Sequence, residues 1–104
     1  MVDFQRSDEL GAQVARKLRA EDVLRTALSV IEQREQQHGE KRHVFDQTRR
    51  LWTAYLGIPI NAEQVAMMMV LLKIARSQNG AFNTDDFVDA VGYAALAGEM
   101  RSIA

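Results

Sequence analysis

The chain has no cysteine, which excludes disulfides, thiol nucleophiles and cysteine-ligated metals and fits a reducing compartment. It has one proline, Pro59, so only one position imposes a helix break. Histidine is scarce: His38 and His43 lack the i, i+4 spacing of a helical zinc site and read as surface or loop residues. Neither charge sign dominates. Thirteen Lys and Arg against fourteen Asp and Glu leave a formal net charge of −1, so no global field draws nucleic acid or an anionic membrane. The richest apolar run, 65–72, stops at Lys73, far short of the roughly 20 residues that span a bilayer. No N-terminal apolar segment reads as long enough for a signal peptide, and the sequence shows no Gly-rich phosphate loop and no serine in a nucleophile-elbow setting. These absences lead us to expect a soluble cytoplasmic protein without membrane partners.

What is present reads as helix. With 104 residues, 47% hydrophobic and 26% charged, the chain is one folded domain, near the size where an extra interface adds useful stability. Residues 1–20 form an N-terminal arm or a short amphipathic helix, with Leu10, Val14 and Leu18 at helical spacing. Residues 21–104 form a single helical bundle. From Asp22 to about Gln37, Val23, Leu24, Ala27, Leu28, Val30 and Ile31 make an amphipathic stripe, and Gly39 supplies a left-handed stop. A second stripe runs from Val44 to Leu56, and Gly57-Ile-Pro59 ends it. Asn61 and Gln64 form a capping box for a third helix starting near Ala62. That helix is apolar on nearly every face, which predicts a central position covered by its neighbours, with Met67, Met68 and Met69 in the core. After a Gly/Asn-rich loop, Asn83 or Thr84 caps a fourth helix reaching about Arg101. Its Gly92 and Gly98 predict close approach of another helix, from this chain or a second subunit.

Candidate chemistry concentrates on the third and fourth helices. Asp86, Asp89 and Tyr93 fall at i, i+3 and i+7 and share a face; paired carboxylates there suit a magnesium-type cation, while the helix dipole alone explains carboxylates in a first turn. Lys73 interrupts an apolar helix, and a buried cation needs a partner: Asp86 or Asp89 as an internal counter-ion, or a ligand phosphate. Arg76 follows near the helix end. The cluster Lys41-Arg42-His43 with Arg49 and Arg50 reads as a solvated basic face.

Several of these stretches resemble a family of small proteins encoded by bacteriophages and prophages. They are Arg34, His38-Gly39, Phe45 with Leu51-Trp-Thr-Ala-Tyr-Leu-Gly57, the segment 67–76, and Asp86-Phe-Val-Asp89-Ala-Val-Gly-Tyr93. The match covers about two-thirds of the chain. It departs at His38, where the family usually has tyrosine, and at Val44, where asparagine is common.

That family is in turn remotely similar to the MazG-like all-α nucleotide pyrophosphohydrolases, helical bundles that assemble as dimers or tetramers. The resemblance implies an all-α, compact bundle of four helices, or five if 1–20 is helical, forming a homo-oligomer in a bacterial host cytoplasm. It implies a nucleotide ligand, magnesium on Asp86 and Asp89, Lys73 with them in the catalytic set, and Arg34, His38, Arg76 and Tyr93 at the ligand. Asp86-x-x-Asp89 matches one acidic motif of those enzymes; the other is missing, since the third helix offers Glu63, apolar residues and then Lys73. Two functions follow: a magnesium-dependent nucleoside triphosphate pyrophosphohydrolase, or a non-catalytic nucleotide-binding or protein-interaction module on the same bundle.

Overall fold

A computed structural model describes residues 18–38 and 41–103. The expected arm over 1–20, apart from its last three residues, and the expected stop at Gly39 lie outside the described residues. The described residues form four helices: α1 (Ala20–His38), α2 (Lys41–Leu56), α3 (Ala62–Ser77) and α4 (Thr84–Ser102). No strand occurs among the described residues.

Local chemistry sets the helix ends. Gly57 takes the left-handed conformation, φ 77°, that closes α2, and its N–H donates to the Thr53 carbonyl at 2.9 Å. Two residues later Pro59 keeps the chain out of helix. The Ile60 N–H donates to Thr53 Oγ1 at 2.9 Å, tying the connection back onto α2. At α3 both hydrogen bonds of the capping box form: Gln64 N–H to Asn61 Oδ1 at 2.8 Å, and Asn61 N–H to Gln64 Oε1 at 2.9 Å. Asn83 caps α4 by accepting from the Asp85 N–H at 2.9 Å.

α4 packs most extensively on α3 and also on α1, while α2 leans on α3. The core gathers Phe45, Val65, Ala66, Ala97 and Met100, with Trp52, Ile60, Ala62, Tyr93 and Leu96 packed around them. Two expectations need correction. α3 is covered on one side only: Val65 and Ala66 are 1% and 0% exposed, but Met67 is 45% and Leu71 62% exposed. The cause is the order of packing, since α1 lies against α4 rather than α3 and leaves the far side of α3 without a neighbour. Nor do the glycines of α4 mark a tight approach by another helix of this chain. A Cβ at Gly92 would meet Ile31 at an ordinary 4.0 Å, and one at Gly98 would meet nothing within 4 Å.

Candidate functional site

Because α1 and α2 both reach α4 without closing on each other, a groove opens between the three helices. Its volume is about 200 Å³. Val30 and Ile31 of α1, Phe45 of α2, and Val88, Tyr93 and Leu96 of α4 form an apolar floor. Phe45 and Tyr93 meet edge to face, with ring centroids 6.2 Å apart at 90°, the arrangement that aligns a positive ring edge with a negative ring face. Arg34, Glu35, Lys41 and Asp89 line the mouth.

The charges at the mouth are matched in pairs. Asp89 Oδ2 lies 3.0 Å from Lys73 Nζ, and Oδ1 lies 3.9 Å from the Arg34 guanidinium. The Lys73 and Asp89 side chains are 13% and 15% exposed, so each would be costly to bury without the other. On the other side of the groove, Lys41 Nζ donates to Glu35 at 2.6 Å and lies 3.6 Å from Glu99. The hydrogen bond to Glu35 raises the Lys41 ammonium above its ordinary value of 10.5; burial opposes this, and the negative charge of Glu99 adds to it. The expectation of a solvated basic face therefore fails at Lys41, which links α1, α2 and α4. Its carboxylate partners lie on other helices, and no sequence spacing announces them.

Asp86 is placed differently. It is 5% exposed and opens into a second recess with Arg76, Asn79 and Asn83. The Arg76 guanidinium approaches Asp86 Oδ1 at 3.6 Å, and this buried oxygen accepts no hydrogen bond. Its position in the first turn of α4 gives it the favourable end of the helix dipole. The structure thus brings Arg34, Asp89 and Tyr93 to the groove, leaves Lys73 behind Asp89 on α3, and sets Asp86 and Arg76 apart from them. His38 closes α1, and its side chain is outside the described residues.

This arrangement is a poor fit for magnesium. The two carboxylates open into separate recesses, each already faces a cation, and among the described residues no three acidic or histidine side chains converge as a metal site. A magnesium ion holding a triphosphate ordinarily needs several carboxylates. No described helix is long and apolar enough to cross a membrane.

Among the described residues, fold and site together define an all-helical unit with an apolar groove rimmed by paired charges. The chain belongs to the family described as a domain of unknown function, DUF6378, whose model matches residues 22–101. It is 38% identical over 81 residues to the Gene 55 protein of Mycobacterium phage L5, covering 76% of this chain and 52% of that protein. It is 34% identical over 76 residues to the Gene 55 protein of Mycobacterium phage D29, covering 72% and 50%. The chain thus spans about half the length of these curated phage relatives. No solved structure matches it.

Proposed function

We propose that the groove between α1, α2 and α4 binds a small ligand with a flat apolar body and an anionic group, of which a nucleotide is the representative class, and that it binds without hydrolysis. One observation carries this reading: the Phe45–Tyr93 floor ends at a mouth where Arg34 stands exposed near Asp89 and Lys41 is held by Glu35 and Glu99. The floor takes a ring by dispersion and edge contact. Arg34, with its side chain 55% exposed and only 3.9 Å from Asp89, keeps donors free for a phosphate. Hydrolysis is disfavoured because Asp86 and Asp89 each face a cation of their own.

The test is an NMR titration of the ¹⁵N-labelled chain with a panel of nucleoside mono- and triphosphates, with and without magnesium, alongside an assay for released pyrophosphate. We expect shifts at Phe45, Gly92 and Tyr93, affinity weakened about tenfold in Arg34→Ala, and no release. Release that disappears in Asp89→Asn would replace binding by the pyrophosphohydrolase reading. A panel that leaves the groove resonances unmoved ends the nucleotide assignment.

A further inference from the structure

We propose that the outer face of α3 is a self-complementary interface at which two copies of this chain pair antiparallel, with the two-fold axis at Leu71. Successive helical residues turn by about 100°. On that geometry Gln64, Met67, Met68, Leu71, Ile74 and Ala75 occupy one stripe opposite the buried Val65 and Ala66, and Gln78 continues its line at the C-cap. The stripe is exposed along its length. Met67, Met68, Leu71 and Ile74 are 45%, 39%, 62% and 48% exposed, and Leu72 beside them is 47% exposed.

Three observations select a second copy as the occupant. The stripe carries no charge. The three charged residues of α3 all turn toward α4 and are matched there: Glu63 with Arg101 at 3.2 Å, Lys73 with Asp89 at 3.0 Å, and Arg76 with Asp86 at 3.6 Å. Two such faces meet without repulsion, whereas a charged partner finds nothing on the stripe to recognise.

The second observation is symmetry. Counted from Leu71, the stripe is uncharged in both directions and ends alike: three and four residues away lie Met68 and Met67 one way, Ile74 and Ala75 the other, and seven away lie Gln64 and Gln78. An antiparallel two-fold at Leu71 sets Met67 of one copy against Ala75 of the other, Met68 against Ile74, Leu71 against its mate, and Gln64 against Gln78. Met67 meets the small Ala75, Met68 packs on Ile74, and amide meets amide at the ends, a set of contacts that an isologous interface repeats on both sides of its axis.

The third is area. The five large apolar side chains expose on the order of 500 Å², at the upper end of what a monomer leaves in one patch. Adding the two glutamines and Ala75 brings the face close to the roughly 800 Å² per partner of a standard interface.

The absence of cysteine makes the geometry directly testable in the full chain. Leu71→Cys should form a disulfide dimer under mild oxidant, since the axis places this residue against itself. Mixed Gln64→Cys and Gln78→Cys chains should crosslink to each other, and neither should crosslink alone. Leu28→Cys, on α1, should stay monomeric in denaturing gels. Sedimentation should give twice the chain mass for the natural sequence and a single mass for Leu71→Glu, with helical circular dichroism retained in both. Leu71→Gln serves if the glutamate variant unfolds. A monomer at every concentration overturns the proposal. So does a dimer indifferent to Leu71, or self-crosslinking of Gln64→Cys, which marks a parallel pair. A natural chain that stays monomeric in solution but sediments with lipid vesicles overturns it in favour of a membrane surface.

Discussion

Asp89 serves two cations at unequal distances, and the shorter contact, with Lys73, joins α3 to α4 in a setting where both side chains are largely withdrawn from water. Removing either partner leaves the other's charge under-compensated. Lys73→Met and Asp89→Asn should each lower stability by roughly 2 kcal/mol, a fall of about 10 °C in Tm, while the double variant recovers part of the sum. Urea melts followed by circular dichroism measure the cycle, and strictly additive losses contradict the pairing. That Lys73 would seek a carboxylate on the next helix was legible in the sequence, because a lone ammonium in an apolar run demands one. Which carboxylate was not legible. Asp86 and Asp89 are three residues apart and equally plausible on a helical wheel; the crossing of α4 over α3 gives Asp89 to Lys73 and Asp86 to Arg76.

Helix boundaries were the most readable level, because capping and breaking are local. The Asn61/Gln64 box, the Gly57 stop and the Asn83 cap all depend on residues within a few positions of each other. Lys41 shows where such reading ends. It opens α2, reaches Glu35 on α1 and lies near Glu99 on α4, contacts separated by helices that no periodicity can orient. Its raised ammonium value has a definite sign. A cation held more tightly when folded stabilises fully below its ordinary 10.5, and that contribution is lost as pH climbs through the raised folded value. The stability gap between the natural chain and Lys41→Met should therefore be small, under about 1 kcal/mol, constant at neutral pH, and should close only at strongly alkaline pH. Paired thermal melts from pH 7 to about 11.5 check this; a gap closing near neutrality contradicts it.

At the scale of the whole molecule, apolar side chains outnumber the places to put them. Among the described residues seven apolar side chains are buried, whereas fifteen large ones stay exposed, including Tyr55 at 89% and Leu51 at 66%. The all-round apolar character of α3 was plain in the sequence, but how many neighbours would cover it is a property of the chain's path. If a second copy supplies the missing neighbour, the melting temperature should rise by several degrees between about 1 and 100 µM protein. In Leu71→Glu it should not move; calorimetry at the two concentrations decides. The three ion pairs between α3 and α4 have a further consequence. One sits in the first turn of α3 and the other two lie a turn apart toward its C-terminal end. Sliding one helix past the other by a turn, about 5.4 Å, would leave two of the three unmatched. In one direction Arg76 would reach Asp89 while Lys73 faced the aromatic Tyr93; in the other Lys73 would reach Asp86 while Arg76 ran past it, with Glu63 losing Arg101 either way. Apolar packing alone tolerates such slippage. These pairs act as an index, so the two longest-packed helices have one alignment that satisfies all three charges and neighbouring ones that satisfy only one.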